Sequence, residues 1–589
     1  MLIKDANAPD DLRGDDLRGD DLRAESRGRD RAGPAGHNRA EADVDAVRKD
    51  ASVEAALAAA GAAIALRRAP RARVLLLIAL VTGAITHGYH LFEYPLYITD
   101  EGVYVQRAWA VIREGALSPY TYNYDHAPAG WLAIAAWISL LPRQFQTFGA
   151  AENAGRAFML LIHLASVFLL FQVTRRLGGG PTAAFVAAFF FNFSPLAVFY
   201  QRQVLLDTLM VFWVLVSLYL ATSPGRRVLT PMLAGLTFGV SVLTKENAIF
   251  FIPALGYLLY GQVRAQLNRR FALGLSGFLA VAAISTYFLY AVLKNELLPA
   301  QLDFNLSTPP TGHVALLYTL WEQLHRNQGS LLDRSSPVWQ FSLGAWLPKD
   351  AFLLVAGAVA AAYNLARGLR DRQRNRGELV AGLLAGGYML YLARGSVILE
   401  FYVVPLVPFL ALNLGLVASR LVPLAAGRSS AAQGAVLALL FVTLLSPVGG
   451  YLLVRDTAGH IVPHDLYTLD LTSLQTQQLQ YIRDHIPPDS RIIMDEEFWV
   501  DLHDVRPYYK FAHSHFEATG DPDVRDKLFH QSWENVDYFV MSNKMRVTMQ
   551  QLNTDGRYNW IFDALDHHAR RIWTLQRGGI ELEVWQVQH

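Results

Sequence analysis

Long apolar runs recur along most of this chain and constrain its fold more than any other feature. The first, Val74–Phe92, is long enough to cross about 30 Å of hydrocarbon as a helix. Further apolar runs lie at 154–174, 182–200, 203–222, 230–244, 247–262, 272–293, 345–367, 379–393, 398–418 and 431–454. Charged residues make up only 17% of the chain, below the share of about a quarter that is usual in soluble proteins. The pattern predicts a polytopic α-helical membrane protein with about 11 transmembrane helices.

The arginines predict how these helices are oriented, because basic loops stay on the cytoplasmic side of a membrane. A further apolar stretch, 128–142, contains two tryptophans and is too short for a typical span. If it does not span, one side of the membrane receives nearly all the basic clusters: Arg67, Arg68, Arg71, Arg73, Arg175, Arg176, Arg226, Arg227, Arg264, Arg269, Arg270, Arg367, Arg370, Arg372, Arg374, Arg376, Arg420 and Arg428. We therefore predict that 128–142 is an interfacial or re-entrant helix, within a first external loop at 93–153. The N-terminus is then cytoplasmic and the C-terminus extracytoplasmic.

Composition divides the chain into three predicted domains. Residues 1–50 have no apolar period and contain three Asp-Asp-Leu-Arg repeats at 10–24, so we expect 1–70 to be a disordered cytoplasmic tail, in which 53–66 could form a short helix. Residues 71–455 contain the apolar runs and form the predicted catalytic membrane domain. Residues 456–589 have an ordinary composition and are predicted to form a small extracytoplasmic α/β domain. Its elements are a helix at 474–485, strands at 491–495 and 536–542, and a hairpin of 570–576 with 580–587.

Composition also excludes several kinds of function. The chain has no cysteine, which rules out disulfides, thiol catalysis and cysteine-ligated metal sites. Its net charge of +1 gives no general attraction to nucleic acid. It contains no phosphate-binding loop, dinucleotide fingerprint or zinc-protease motif. The candidate chemistry therefore lies with charged residues at the ends of the apolar runs.

Asp100 and Glu101 form an acidic pair just beyond the first apolar run. The simplest explanation is a solvated helix start that the side chain of Thr99 or Asp100 caps. Tyrosines are unusually frequent around the pair, as on many sugar-handling surfaces: Tyr97, Tyr104, Tyr120, Tyr122 and Tyr124. A carboxylate held near an apolar boundary has a raised pKa, which suits a general base. We predict that Asp100 is the catalytic base and that Glu101 and Tyr104 contact the substrate.

Asp125 and His126 lie side by side in the same predicted loop. They are ordinary loop residues in one interpretation and substrate contacts in another. With Asp100 or Glu101 as a third ligand they would instead bind a divalent cation. The sequence leaves these alternatives open.

Cations recur on the same predicted external face. Arg202 and Lys245 each lie between two apolar runs, at boundaries that the predicted topology places outside. A guanidinium binds phosphate in bidentate geometry, and two cations facing a carboxylate loop predict an anionic substrate. Asp207 is expected to pair with Arg202 and hold it in place, and Glu246 to play a supporting role.

A third group of polar and charged residues on the same predicted external face consists of Arg394, Glu400 and Tyr402. We predict that these residues contact the substrate. The structural alternative is an arginine that reaches to the interface beside an ordinary turn.

Several motifs in order resemble the membrane glycosyltransferases of the GT-C fold. They are Asp100-Glu101-Gly-Val-Tyr104, Tyr124-Asp-His-Ala-Pro-Ala-Gly130, Ser194-Pro195 leading to Arg202 and Asp207, and Thr244-Lys245-Glu246. Over residues 72–455 the chain is most similar to the protein O-mannosyltransferase and aminoarabinose transferase superfamily. It departs from that pattern where Asp-His-Ala-Pro stands in place of the more usual His-Pro-Pro or acidic-Lys-Pro.

The resemblance implies a hexosyl- or pentosyltransferase that uses a polyprenyl-phosphate-linked sugar donor. Transfer to a hydroxyl acceptor would occur on the exoplasmic face with inversion, and Asp100 would deprotonate the acceptor. Arg202 would match the cation that steadies the leaving phosphate, with Lys245 close by. Asp125 and His126 would fall where some members hold the donor phosphate or a metal.

Two other classes of function compete with this interpretation. A transporter or flippase could use the same charges to move an anionic lipid, and a pseudo-enzyme could use the external domain as a binding module. Transporters tend to show internal repeats and ionisable residues at the membrane midplane. The sequence shows no convincing repeat, and its charges cluster towards one face, which favours the enzyme.

Overall fold

The computed structural model describes residues 71–223, 228–264, 268–298, 315–325, 333–394, 398–426, 442, 454–455, 461–462, 470–577 and 579–589. The predicted tail at 1–70 and nearly all of the predicted span at 431–454 lie outside these residues. Pro70–His589 form one compact unit. The boundary predicted between residues 455 and 456 stays a prediction.

Apolar helices dominate the membrane part of the structure. Among the described residues, five stretches are long and apolar enough to cross a membrane: Arg71–Gly88, Ala151–Phe193, Arg269–Leu293, Val338–Arg370 and Glu400–Leu421. Shorter apolar helices are Ala129–Ser139, Leu206–Ala221 and Leu229–Thr244. The predicted helical membrane architecture is confirmed, whereas the predicted count of about 11 spans is not.

The helices of this part are numbered in chain order. They are α1 Arg71–Gly88, α2 Thr99–Arg113, α3 Ala129–Ser139, α4 Ala151–Thr174, α5 Gly180–Phe193, α6 Pro195–Tyr200, α7 Leu206–Ala221, α8 Leu229–Thr244, α9 Ile252–Val263, α10 Arg269–Leu293, α11 Leu316–His325, α12 Pro337–Phe341, α13 Leu347–Arg370, α14 Arg376–Arg394 and α15 Val407–Ala426. Short 3₁₀ helices lie at Gln144–Gln146, Glu246–Phe251 and Glu400–Leu406. A bend at Arg175–Gly179 separates α4 from α5. Gly178 adopts a φ of 97° there, a conformation open to glycine because it has no Cβ atom.

Helix α3 belongs to the stretch that decides the predicted topology. It has 11 residues and is therefore about 16 Å long, well short of a bilayer core. Trp131 and Ile134 on α3 are fully buried within the protein. The length agrees with the predicted interfacial placement of 128–142.

The arginine-rich segments gather at one end of the helix bundle. Arg176 Nη1 donates to the Tyr219 carbonyl at 2.7 Å, near the end of α7. Arg376, the first residue of α14, donates to the Leu258 carbonyl at 2.8 Å. Tyr391 lies fifteen residues further along α14, at a helical rise of about 22 Å, and belongs to the opposite end of the bundle.

A mixed sheet forms the centre of the C-terminal region, and its strand order is β4-β3-β5-β7-β6. The strands, with a preceding two-residue pair, are β1 Val454–Arg455, β2 Ile461–Val462, β3 Ile492–Met494, β4 Ala512–Ser514, β5 Tyr538–Ser542, β6 Ala569–Arg577 and β7 Ile580–Val587. Strand β3 runs parallel to β4 and β5, and β7 runs antiparallel to β5 and β6. The predicted strands and hairpin therefore occur in the structure, whereas β4 was not predicted.

Helices flank this sheet. They are α16 Thr472–His485, α17 Trp499–Asp504, α18 His515–Gly520, α19 Pro522–Val524, α20 Asn543–Leu552 and α21 Asn559–Asp563. The predicted helix at 474–485 corresponds to α16. The shorter helices have too few turns to show an apolar period.

The C-terminal region packs directly on α2. Gln106 Nε2 donates to Glu517 Oε1 at 2.8 Å, and Trp109 Nε1 donates to Asp504 Oδ1 at 2.9 Å. A Cβ on Gly102 would lie 2.5 Å from the Glu496 carbonyl oxygen, so only glycine permits this approach. Helix α2 is thus held between the membrane helices and the C-terminal sheet.

Candidate functional site

A cavity of about 740 Å³ opens where α2, the loop after it and the C-terminal region meet. The predicted site residues in its lining are Asp100, Tyr104, Asp125, His126, Lys245, Glu246 and Tyr402. The structure therefore brings together seven residues from three separate parts of the sequence. Their individual roles stay predictions.

Asp100 lies in the first turn of α2 and is partly buried at the cavity wall. Its side chain does not cap the helix, because Ile98 occupies the N-cap position. Burial raises the pKa of Asp100 above its ordinary value, although nearby Lys245 and His126 act in the opposite direction. Tyr104 Oη donates a long hydrogen bond of 3.4 Å to Asp100 Oδ1. This is the environment expected of a carboxylate that accepts a proton.

Lys245 follows the last residue of α8 and is almost fully buried. Its Nζ donates to Asp207 Oδ2 at 2.6 Å and lies 4.3 Å from the centre of the Tyr402 ring. Asp207 was expected to pair with Arg202; its carboxylate instead accepts a bond from Lys245. The pair keeps an ammonium group at the cavity wall.

Arg202 does not line the cavity. Its side chain is fully buried, and its guanidinium donates to the carbonyl oxygens of Thr86 at 2.7 Å and Tyr94 at 3.3 Å. The expected contact with a phosphate group is replaced by bonds that hold the end of α1 and the following turn. Arg202 is therefore corrected from a substrate contact to an internal brace.

Glu101 also points away from the cavity, although it is adjacent to Asp100. Its carboxylate forms a fully buried ion pair with Arg156, at 2.6 Å to Nη2 and 2.9 Å to Nε. It also accepts a bond from the backbone N–H of Val204 at 3.1 Å. The expected substrate contact of Glu101 is thus replaced by an internal link between α2, α4 and the start of α7.

Asp125 and His126 each have a protein partner in the cavity wall. Arg107 Nη2 lies 2.9 Å from Asp125 Oδ1, and His126 Nδ1 lies 3.2 Å from Glu246 Oε2. Burial acts to raise the pKa of Asp125, but the Arg107 and His126 charges outweigh it and hold that pKa below its ordinary value. Glu246 also accepts the Ala127 N–H at 2.9 Å, which supports the predicted structural role.

The predicted cation site is not assembled around Asp125 and His126. Among the residues that the structure describes, three metal-ligand side chains come together elsewhere, at Asp495, Glu496 and His515 in the C-terminal region. The ion pair with Arg107 further reduces the capacity of Asp125 to bind a cation.

The group of Arg394, Glu400 and Tyr402 is only partly in the cavity lining. Tyr402 lines it, whereas Glu400 does not: its carboxylate accepts a bond from Tyr200 Oη at 2.7 Å. Arg394 is the last residue of α14, and its side chain lies outside the described part of the structure.

Several lining residues were not predicted. Arg107 lies seven residues after Asp100 and three after Tyr104 in α2, a spacing that identifies one helix face once the helix is extended to Arg113. Other unpredicted lining residues come from the C-terminal region: Glu496, Ser514, Phe516, Glu517, Gly520 and Asp521. No motif signals them, because their position depends on how the C-terminal sheet packs against α2.

Comparison with known proteins agrees with this architecture. Residues 125–290 match the family model described as dolichyl-phosphate-mannose-protein mannosyltransferase. No curated protein matches the sequence.

Two solved structures are similar in fold. The crystal structure of ArnT from Cupriavidus metallidurans bound to undecaprenyl phosphate is 16% identical, with 87% of this chain and 97% of that chain covered and a TM-score of 0.52. The Archaeoglobus fulgidus oligosaccharyltransferase tethered with an acceptor peptide is 13% identical, with 85% and 72% covered and a TM-score of 0.50. The chain thus has the GT-C fold of membrane glycosyltransferases, and residues 125–290 match the model of the dolichyl-phosphate-mannose-protein mannosyltransferase family.

Proposed function

We propose that this protein transfers a sugar from a polyprenyl-phosphate donor to a hydroxyl acceptor, with inversion at the anomeric carbon. The observation that carries the proposal is a single cavity whose wall contains both Asp100 and Lys245. A carboxylate with a raised pKa and a fixed ammonium group are the two charges that such a transfer needs. The similarity to GT-C proteins supports the same class of reaction.

The reaction is a single displacement. The acceptor oxygen attacks the anomeric carbon while its proton passes to the Asp100 carboxylate. The bond between that carbon and the phosphate oxygen breaks, and the polyprenyl phosphate leaves with the electron pair. Lys245 stabilises the negative charge that develops on the phosphate. Both charges are positioned before the substrate arrives, so little reorganisation is needed during the step.

The lipid part of the donor needs an apolar surface beside the polar groups. Ile249, Phe250 and Leu399 line the cavity, and the Ile249 side chain is 47% exposed. Ile252, one turn beyond Ile249, is 52% exposed. We assign the isoprenoid tail to this side, where exposed apolar side chains continue from the cavity towards the membrane.

The arrangement of charges supports transfer on the exoplasmic face. The cavity and the arginine-rich segments lie at opposite ends of α14, and arginine-rich loops favour the cytoplasm. The N-terminus is therefore assigned to the cytoplasm and the C-terminal region to the outside. The acceptor would enter between α2 and the C-terminal wall at Glu517 and Asp521.

The direct test supplies the purified protein in lipid vesicles with hexose- and pentose-linked polyprenyl phosphates and a panel of hydroxyl acceptors. We expect a donor of this class to be consumed, with polyprenyl phosphate released only when an acceptor is present. Nucleotide sugars serve as the control and should remain intact. Movement of the intact lipid across the vesicle without cleavage would instead identify a transporter.

The pair of Lys245 and Asp207 yields a second prediction. Lys245→Met should lower the transfer rate about 10²-fold, because it removes the charge that faces the leaving phosphate. It should also destabilise the protein, because Asp207 would be left buried without its cation. In the double variant Lys245→Met/Asp207→Asn, thermal unfolding should return towards that of the wild type while transfer stays low.

Lys294→Met is the matched control, because Lys294 is exposed and does not line the cavity. It should leave both measurements unchanged. Recovery of full transfer in the double variant would show that Lys245 acts on stability alone.

A further inference from the structure

The parallel strands β3 and β4 bring three metal-ligand side chains to one edge of the C-terminal sheet. Met494 pairs with Ser514 in the ladder, so the residues that follow each strand are neighbours. Asp495 and Glu496 follow β3, and His515 follows β4. This placement comes from sheet topology and not from proximity in sequence.

The three side chains converge on a common point. One ligand atom from each lies within 4.8 Å of the others. His515 Nε2 is 3.6 Å from Asp495 Oδ1, beyond ordinary hydrogen-bond distance. His515 is fully buried, and Glu496 is only 2% exposed.

Two of these ligand atoms are buried without hydrogen-bond partners. Within the described part of the chain, none is found for His515 Nε2 or for Glu496 Oε2. A buried polar atom without a partner is costly, and folded proteins seldom retain one without a reason. Two such atoms, on side chains whose ligand atoms lie within 4.8 Å of one another, indicate a missing ligand.

The remaining atoms of these side chains are held by other groups. His515 Nδ1 lies 3.2 Å from Tyr558 Oη, and Asp495 Oδ2 accepts a bond from Ser542 Oγ at 3.1 Å. A proton on Nδ1 that is donated to Tyr558 leaves the Nε2 lone pair free for a metal. Such outer contacts fix the ring orientation of metal-binding histidines in many proteins.

The local charge also favours a cation. Asp495, Glu496 and Glu497 are consecutive carboxylates, and Glu517 lies on the neighbouring helix. Glu496 and Glu497 are both buried. Carboxylates so close together in a medium of low dielectric repel one another, and a divalent ion between them would remove that repulsion.

We propose that Asp495, Glu496 and His515 bind one divalent transition-metal cation, with Zn²⁺ as the reference ion. One imidazole and two carboxylates form a set that suits Zn²⁺ better than Mg²⁺, which prefers oxygen ligands alone. Three protein ligands leave a fourth position for water or substrate. The inference stands on the C-terminal region alone and does not depend on the proposed transfer reaction.

The site would fasten the C-terminal sheet to the predicted catalytic helix. Glu496 lines the cavity, and its carbonyl oxygen is the atom that approaches Gly102 of α2. Thr99 Oγ1, one residue before Asp100, lies 3.5 Å from Asp495 Oδ1. A metal here would fix the wall of the cavity that faces Asp100.

Equilibrium dialysis of the full-length, chelator-treated protein against Zn²⁺ tests the site, with the metal content of each chain measured by mass spectrometry. The wild type should bind a single Zn²⁺, and Zn²⁺ should raise its unfolding temperature. Both His515→Gln and Asp495→Asn should weaken binding about tenfold or more. The nearly isosteric Glu496→Gln should do the same, and it keeps the test valid if the histidine variant does not fold.

Two matched histidine variants complete the experiment. His567→Gln changes an exposed histidine of the same region, and His126→Gln removes the histidine of the other candidate pair. Both should bind Zn²⁺ as the wild type does. The proposal is overturned if the wild type shows no saturable binding, if the folded Glu496→Gln protein binds normally, or if only His126→Gln loses the metal.

Discussion

Asp100→Asn is expected to lower the rate of sugar transfer by about 10²- to 10⁴-fold, the usual contribution of a general base. Asparagine keeps the size of the side chain and can still accept the hydrogen bond from Tyr104. The asparagine side chain cannot, however, take up the proton from the hydroxyl group of the sugar acceptor. Donor binding should therefore remain close to that of the wild type, because the charge proposed to face the phosphate is on Lys245.

Glu114→Gln is the matched control for this variant. Glu114 caps the opposite end of the same helix and is exposed outside the cavity lining. Its loss should change neither transfer nor donor binding. Unchanged transfer by purified Asp100→Asn would eliminate Asp100 as the base.

The pH dependence of transfer provides an independent measure of the same group. Burial raises the pKa of Asp100, and the base acts only when it is deprotonated. Activity should therefore be complete at high pH and fall as the pH drops through this raised pKa, above the range in which an exposed aspartate titrates. In the Asp100→Asn variant the residual rate should lose this acidic limb.

The largest expected effect on stability belongs to the buried pair of Glu101 and Arg156. Arg156→Met should destabilise the protein by about 3–5 kcal/mol, because it leaves the Glu101 carboxylate charged and enclosed without its partner. Unfolding of the detergent-solubilised protein, followed by temperature or denaturant, measures the change. The lost bonds to the carbonyls of Leu91 and Pro95 add to the cost.

A double variant separates charge from packing at this position. Glu101→Leu combined with Arg156→Met removes both charges and should be more stable than Arg156→Met alone. Arg175→Met, which changes an exposed arginine just after the same helix, is the control and should have little effect. Equal stability of Arg156→Met and the wild type would contradict a structural role for the pair.

The architecture could be predicted from sequence where a repeating physical signal exists. Apolar runs of membrane length predict helices regardless of their neighbours, and the hairpin of β6 and β7 follows from alternation around a turn. The grouping of Asp100 with Lys245 could be predicted as well, because the predicted topology places both at the same membrane face. These inferences need only local sequence patterns and the predicted side of the membrane on which each loop lies.

The partners of individual charges could not be predicted in this way. Arg202 and Lys245 are both predicted to lie at an external boundary, yet Arg202 is enclosed by carbonyl groups and Lys245 reaches the cavity. The difference depends on which way each short connecting turn rotates its side chain. Glu101 and Asp100 diverge for the same reason, since adjacent residues of a helix point about 100° apart.

The close approach of Gly102 to the Glu496 carbonyl brings two segments that are distant in sequence together in the wall of one cavity. Without residues 470–589, one side of that cavity would be open to bulk water, and the burial that raises the pKa of Asp100 should be reduced. A shortened protein that keeps every membrane helix would then retain Asp100 and Lys245, but the pKa of Asp100 should be lower than in the full-length protein. We therefore expect the C-terminal region to affect the pKa of Asp100, the proposed base, which lies nearly 400 residues away in sequence.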